Sequence, residues 1–317
     1  MTQAPRSGLA PARLPFPVVA PHRVVPAPRP VQGSPAVEVD DAWPAALRRR
    51  VQRLTEDRDG VVVHDGRPTP GLVEAARQAY VLLPGDQGAL PLLGVRVDLA
   101  AGRLAEVAGV ERGPSRCPAA INLLRSLRGL DLLAAAWLLA CSDDLVVLRR
   151  SGQGVLHAEL LAVAFPSGWP PRRRLGASLL ELHAPVADGE RLQRAAPALS
   201  EALLTKGPLR QYVWGLDPDG RLDRDPSAPD APTGPGPADP AQWWLRVERQ
   251  TSVPLPSPDR ALFTIRPHLV PLTALPAAQC ATLAAAIASM GAAARAYKGV
   301  TAVADDLVAW LTARSVS

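Results

Sequence analysis

The spacing of hydrophobic residues divides the chain into three parts. Residues 1–36 contain nine prolines and little periodicity, which predicts an extended arm that either wraps the body or stays mobile. Residues 37–142 carry apolar residues at helical spacing, and Asp40 and Asp41 give an N-cap signal at the start. The helices predicted in this part are Asp41 to Glu56, Gly71 to Leu82 and, as one long or two broken helices, 118–141.

In residues 143–317 the apolar residues follow the period of strands, interrupted by helices. The predicted strands are 144–150, 155–165, 211–215, 243–251 and 261–270, of which the last two form an antiparallel pair. The predicted helices are 175–184, 189–204, 276–294 and 303–313. Residues 217–241 form a Pro/Gly/Asp-rich segment that is expected to be an exposed, disordered-type loop. This order predicts an α+β fold with an antiparallel sheet and flanking N- and C-terminal helices.

Composition and charge exclude several functional classes. The net charge of +5 comes almost entirely from arginines that are interleaved with acidic residues, and the run Arg172 to Arg174 has no aromatic residues within it, so nucleic-acid binding is not expected. The apolar run from Leu130 to Cys141 is too short to span a bilayer. Three widely spaced cysteines and no signal peptide predict a cytoplasmic protein without a disulfide framework.

The predicted strand 243–251 carries the densest polar pattern in the chain. Alternation places Trp244, Arg246, Glu248 and Gln250 on one face, and the residues between them on the other. If the polar faces of the two paired strands match, Thr264 and Arg266 join the first face. Such a face is either a solvated surface with cross-strand ion pairs or the wall of a pocket for an anion or a polar small molecule.

His183 is the titratable group of greatest interest. On the predicted helix it shares a stripe with Leu175 and Leu179 and lies in the last turn before Pro185. A neutral imidazole at an apolar helix end suits the proximal ligand of an iron porphyrin, whereas a core histidine that bonds its own helix carbonyls is the alternative. His157 and His268 have weaker patterns. The stiff turn from Pro166 to Trp169 has a packing role or lines a pocket.

Three blocks together resemble the haem-dependent oxidative N-demethylase alpha-subunit family, many of whose members are described only as a domain of unknown function. They are Phe165-Pro166-Ser167-Gly168-Trp169 with Leu182-His183-Ala184-Pro185-Val186, then Arg210 to Trp214, and finally Leu245 to Thr251 with Phe263-Thr264-Ile265-Arg266. The resemblance covers about residues 140–275. Members often have a tyrosine after the Ile-Arg pair, where this chain has Pro267, and this departure concerns the chemistry of the pocket.

The resemblance implies a PAS-like haem-binding domain over residues 143–317, with an antiparallel sheet and short helices around haem b. It implies O2-dependent N-demethylation of a small secondary amine, with electrons supplied through FMN and 2Fe–2S centres of a partner reductase subunit. His183 would ligate the iron, with His157 and His268 as alternatives, and Glu248 would hold the protonated amine. Arg246 and Gln250 would be catalytic with it, as parts of the strand wall that polarises the bound oxygen, while Arg210, Arg266, Trp169 and Trp244 would contact the cofactor. The competing interpretations are a non-catalytic haem-binding gas sensor and a binding module that has lost its cofactor.

Overall fold

The computed structural model describes residues 14–23, 28–31, 36–83, 88–105, 117–178, 181–182, 190–232, 234 and 236–316. The helices are α1 Trp43–Glu56, α2 Arg58–Val61, α3 Pro70–Gln78, α4 Pro118–Ser126, α5 Gly129–Ala140, α6 Glu190–Thr205, α7 Ala277–Ala288, α8 Ala292–Tyr297 and α9 Ala304–Ser315. The strands are β1 Arg29–Pro30, β2 Val62–Val63, β3 Ala89–Leu90, β4 Val95–Asp98, β5 Arg103–Ala105, β6 Asp144–Arg150, β7 Leu156–Ala162, β8 Leu209–Asp217, β9 Trp244–Pro254 and β10 Arg260–Pro271.

A mixed sheet-and-helix architecture results, and it confirms the predicted α+β class. Seven antiparallel strands form the main sheet in the order β1-β8-β9-β10-β6-β7-β2. A smaller sheet contains β3, β4 and β5. The longest strands, β9 and β10, pair over eleven residue positions in the centre of the main sheet, from Ala261 opposite Pro254 to Pro271 opposite Trp244.

The two faces of the main sheet have different coverings. We call the side that carries Arg246, Glu248 and Gln250 the Glu248 face, and the side that carries Val247 and Arg249 the Arg249 face. Two hydrophobic cores lie on the Arg249 face. One is formed by its β6 end together with helices α1, α3, α4 and α5. The other is formed by its β9 end together with the C-terminal helices. On the Glu248 face, leucines of α6 pack against an apolar patch of β6, β7 and β10.

The N-terminal helices form where the sequence pattern predicts them. Helix α1 buries an apolar stripe that includes Trp43, Leu47 and Leu54, and the carboxylate of Asp40 accepts a hydrogen bond from the Ala42 amide at 3.1 Å. The region 118–141 is two helices, α4 and α5. No helix in the described part of the chain is both long and apolar enough to cross a membrane.

The described parts of the N-terminal arm lie against the body, as one of the two predicted alternatives requires. Arg29–Pro30 pairs with β8, and Val18 is buried in the core under the C-terminal helices. The ring of His22 lies edge-on to the ring of Trp214, with 5.7 Å between the ring centroids. The arm therefore adds to the sheet edge and covers part of it.

The prediction that a helix begins at Leu175 is wrong. Residues Pro171–Arg174 form a short 3-10 helix, Leu175 is extended, and Gly176 has φ +72°, a left-handed conformation that ends the helical turn. Ala158 and Ala177 are joined by a backbone hydrogen bond of 3.1 Å, so the segment runs beside β7. Pairing with an open strand edge has overridden the apolar helical spacing.

The loop over residues 217–241 is less exposed than its composition indicates. Asp223 and Asp225 are buried, and Arg53 of α1 forms ion pairs with them at 2.7 and 3.4 Å. Leu222 packs at the rim of the core that α1 shares with the sheet. The prediction of an exposed loop fails here because the partner is a buried arginine far away in sequence.

Candidate functional site

A polar cluster surrounds Glu248 in the middle of β9, on the face where alternation predicts it. Its side chain is 13% exposed. The Ser167 hydroxyl donates a hydrogen bond to Glu248 Oε1, and Gln250 Nε2 donates one to Glu248 Oε2 at 3.1 Å. Gln211 of β8 extends the cluster by donating from Nε2 to Gln250 Oε1 at 2.8 Å. A carboxylate held in this way is a directed acceptor for a cation or a hydrogen-bond donor.

Arg246 is the buried cation of this cluster. Its guanidinium lies 3.5 Å from Glu248 Oε1 and 3.4 Å from Asp217 Oδ2. It also donates to the carbonyl oxygens of Leu222 and Phe165, both at 2.9 Å. Burial raises the pKa of Asp217, and the charge of Arg246 opposes that rise. Because its donors are directed at protein oxygens, Arg246 holds the site together.

Ser167 reaches Glu248 from the turn between β7 and the 3-10 helix. Gly168 has φ +80°, a conformation that favours glycine, which explains the Ser-Gly pair in this turn. The Arg224 amide donates to the Pro166 carbonyl at 3.0 Å, and the Gly168 amide donates to the Arg224 carbonyl at 3.1 Å. The 217–241 segment therefore builds one wall of the site.

The border of the site is partly open. Val213, opposite Glu248 on β8, is 40% exposed, and Tyr297 at the end of α8 is 48% exposed. Partial burial, followed by the Glu248 carboxylate, raises the pKa of the Tyr297 phenol, while the Arg174 guanidinium acts in the opposite direction. Tyr297 and Arg174 are therefore within electrostatic reach of the cluster.

Thr264 and Arg266 do not join the wall, which corrects the expectation of matched polar faces. The register pairs Thr264 with Thr251 and Arg266 with Arg249, so both side chains lie on the Arg249 face. There Arg266 forms a two-pronged ion pair with Asp40 at 2.9 and 2.8 Å.

Arg210 also lies on the Arg249 face. It is opposite Thr251 and donates from Nε to the Thr251 hydroxyl at 3.2 Å. The cofactor contacts expected of Arg210 and Arg266 therefore lose their geometric basis beside Glu248.

The candidate aromatic contacts differ in their distance from the cluster. Trp169 packs, partly buried, against the apolar patch of the Glu248 face, near α6. Trp244 is on the Glu248 face but lies against Gly220 of the 217–241 segment: a Cβ added at Gly220 would be 2.8 Å from its ring. Trp169 therefore lies on the apolar part of the Glu248 face, and Trp244 packs against the 217–241 segment.

The structure separates the candidate histidine ligands from one another. His157 is on the outer strand β7, and its Nδ1 donates a hydrogen bond to the Gly176 carbonyl at 2.9 Å. The register puts His157 three strands and seven residues away from Glu248, on the order of 25 Å along the sheet. His183, with the rest of residues 183–189, lies outside the described residues.

His268 is on the Arg249 face, opposite Val247, and is only 6% exposed. Burial, together with the charges of Arg266 and Arg249, lowers the pKa of His268 to about 3, so its imidazole is neutral. Among the described residues, no group of three or more His, Cys, Asp or Glu side chains is arranged to hold a metal ion.

Sequence reasoning missed three members of the cluster. The sequence identified Ser167 only as a residue of a turn. Its position between a proline and a glycine indicates a stiff turn that fixes the direction of the serine hydroxyl. Gln211 is two residues from Val213 on β8, so both side chains lie on the same side of the strand. The pairing of β8 with β9 shows that this side belongs to the Glu248 face. Tyr297 gives no signal in the sequence, because only the packing of α8 against the sheet edge brings it near Glu248.

Comparison with known proteins adds the family. No curated protein matches the chain. A family described as haem-dependent oxidative N-demethylase, alpha subunit-like, matches residues 122–308, which contain the central strands, the Ser167 turn and the C-terminal helices. The match extends on both sides of the region in which the sequence blocks resemble that family. The chain therefore belongs to the haem-dependent oxidative N-demethylase alpha-subunit-like family.

Proposed function

We propose that the protein is the haem-binding subunit of an O2-dependent oxidase that removes a methyl group from a small secondary amine. The observation that carries this proposal is the Glu248 carboxylate, held by Ser167 and Gln250 on a partly open sheet face. Small secondary amines are protonated at neutral pH, and a fixed, partly desolvated carboxylate binds an ammonium group well. Membership of the family supports haem as the redox group.

The arrangement of the sheet supports a PAS-like fold. Counted from β6, the five long strands lie in the order 2-1-5-4-3, and a helix-containing segment joins the second strand to the third. That segment contains the Ser167 turn, residues 179–189 and α6, and α6 packs on the Glu248 face. A sheet with one face covered by a single helix-containing connection is a suitable frame for a cofactor slot.

Two features of the described residues support a haem group. Val146, Leu148 and Phe263 form an apolar patch beside the polar cluster on the same sheet face, and because α6 packs on this patch, a macrocycle would lie at its border. Haem propionates need cations, and the charge of Arg174 acts on Tyr297 together with that of Glu248, which supports Arg174 as their partner. In this proposal Trp169 packs against the macrocycle edge.

We propose His183 as the iron ligand. Residues 179–189 connect Ser178, beside β7, to the start of α6 on the Glu248 face. His157 and His268 fit a shared site with Glu248 less well, because one lies far along the sheet and the other lies on its opposite face. This geometric contrast supports His183 in place of the other two.

Bound haem would supply O2 activation and oxidation of the N-methyl carbon. Glu248 would bind the ammonium group of the substrate, and Gln250 and Ser167 would keep the carboxylate oriented. Arg246 would offset the negative charge of the carboxylate, whose side chain is only 13% exposed. The chain itself would thus contribute binding and orientation.

Electron supply from a separate flavin and 2Fe–2S subunit is part of the proposal. A cluster of this type requires four ligands, usually cysteines, whereas Cys117, Cys141 and Cys280 are free and far apart in the sequence. Burial raises the pKa of the Cys141 thiol to about 12, so it is a poor ligand or nucleophile. Free thiols also support a reducing, cytoplasmic location.

The test is expression with haem, followed by absorption spectroscopy and an assay of formaldehyde release with an added reductase. We expect a Soret band that is lost or shifted in His183→Ala and retained in His157→Ala and His268→Ala. Formaldehyde should be released from a dimethylated ammonium substrate. A Soret band without formaldehyde would favour a gas-sensing module, and a colourless protein would favour a binding module without cofactor.

A further inference from the structure

The turn that carries Ser167 is held from both sides by buried charges. On one side, Asp144 at the start of β6 accepts hydrogen bonds from the Ala164 amide at 3.2 Å and the Phe165 amide at 2.9 Å. On the other side, Arg246 donates to the Phe165 carbonyl at 2.9 Å. Both backbone polar groups of Phe165 are therefore bound to buried side chains, two residues before Ser167.

Asp144 is itself fixed by Arg50 of helix α1. Arg50 Nη2 lies 2.8 Å from Asp144 Oδ1, and both side chains are 0% exposed. The same guanidinium donates to the Leu138 carbonyl at 2.6 Å and the Ser142 carbonyl at 3.0 Å, and it lies 4.9 Å above the Phe165 ring. A buried ion pair with this many directed contacts has one low-energy arrangement.

We infer that Arg50 and Asp144 are positioning residues for Glu248, acting through the backbone of Phe165 and the hydroxyl of Ser167. A fixed Phe165 peptide and a left-handed Gly168 leave the intervening residues little freedom, so the Ser167 hydroxyl points at Glu248 Oε1. The Glu248 carboxylate is thereby tied to a helix of the N-terminal region, which the family match does not reach. The effect of these contacts on turnover rests on the proposed function, whereas the positioning of Glu248 by them does not depend on it.

Chemical details support positioning over a general packing role. Asp144 uses both oxygens for consecutive amides of the turn and shares Oδ1 with Arg50. Arg266 offers a matched comparison, because its buried pair with Asp40 lies on the other face of the sheet. Loss of either Arg50 or Arg266 leaves a buried carboxylate without its cation, but only Arg50 bears on the Phe165 peptide.

The experiment compares Asp144→Asn and Ser167→Ala with Arg266→Met in the full-length protein. Peptide-resolved hydrogen exchange should show Ala164 and Phe165 exchanging at least tenfold faster in Asp144→Asn and unchanged in Arg266→Met. Crystal structures should show the contact between Ser167 and Glu248 opened beyond hydrogen-bond distance in Asp144→Asn and kept in Arg266→Met. Neither readout needs haem or substrate, so both test the positioning whatever the protein catalyses. An intact turn and contact in Asp144→Asn would overturn the inference.

A double-mutant cycle tests the link to ligand binding. With haem-loaded protein and dimethylammonium chloride as the probe, Asp144→Asn and Ser167→Ala should each weaken binding by roughly three- to tenfold. Asp144→Asn added to Ser167→Ala should have little further effect, because both act through the same hydroxyl. Fully additive losses would contradict the positioning role. Wild-type protein that binds no dimethylammonium would count against the proposed function, and the exchange and crystallographic results would then decide the positioning alone.

Discussion

Ser167 and Glu248 are 81 residues apart in the sequence, and the Ser167 hydroxyl donates a hydrogen bond directly to the Glu248 carboxylate. Serine comes from a tight turn after β7, and glutamate from the middle of β9. The contact joins the helix-containing connection to the sheet at the point where the polar cluster is partly open. A carboxylate that would otherwise be a solvated surface group thereby becomes an oriented hydrogen-bond acceptor.

The first prediction concerns the charge of Glu248. Glu248→Gln keeps the size of the side chain but replaces one acceptor oxygen by an NH2 donor and removes the negative charge, so the affinity for dimethylammonium should fall by about 10- to 100-fold. Isothermal titration calorimetry measures the change. Glu159→Gln is the matched control, since Glu159 is 15% exposed and pairs with Arg260 instead. Equal losses in the two variants would show that Glu248 has no special role.

Because of His268, the free energy of unfolding should decrease as the pH falls. Its folded-state pKa of about 3 lies below the ordinary value of 6.5, so the unfolded chain binds more protons between these values. Its contribution to stability is intact above pH 6.5 and is lost as the pH falls towards 3. Between pH 7 and pH 5 the wild type should lose about 2 kcal/mol more unfolding free energy than His268→Gln. Urea denaturation at both pH values provides the measurement, and parallel losses would refute the effect.

Arg53 should hold the 217–241 segment to α1. Arg53→Met leaves Asp223 and Asp225 without their buried cation and should lower the free energy of unfolding by about 3–5 kcal/mol. Proteolytic cleavage within the segment should become faster, because its attachment is weakened. Arg48→Met, on the exposed side of the same helix, serves as the control and should change neither quantity. Unchanged cleavage in Arg53→Met would argue that other contacts hold the segment.

Arg266 and Arg246 should behave differently because the register places them on opposite sheet faces. Arg266→Met breaks a buried ion pair with Asp40 and should cost about 3–5 kcal/mol of unfolding free energy, with haem absorption and amine affinity unchanged. Arg246→Met should weaken amine binding, because Arg246 contacts Glu248. Absorption spectra and calorimetry distinguish the two variants. A Soret band lost in Arg266→Met would mean that the cofactor reaches the Arg249 face.

Much of the secondary structure was predictable from local pattern. Helix α1, the two helices of 118–141 and the paired strands β9 and β10 all follow from apolar periodicity and turn residues. The failure at Leu175 is informative: leucines at helical spacing favour a helix, but the segment exchanges backbone hydrogen bonds with the unpaired edge of β7. The Ala158 amide donates to the Ala177 carbonyl, and the Gly176 amide donates to the Ala158 carbonyl. The local helix preference of this segment is therefore weaker than the stabilisation it gains by pairing with a sheet edge.

The two faces of β9 were determined by the sequence alone, because side chains alternate along any strand, and the strong family blocks lie on that strand. Only the tertiary structure decided which residues join Glu248. A shift of pairing by one residue exchanges the faces, so the register between β9 and β10 removed Arg266 from the cluster and placed it on Asp40. Likewise, Ser167, Arg50 and Asp144 meet through contacts between distant segments, and periodicity within a segment carries no information about such contacts.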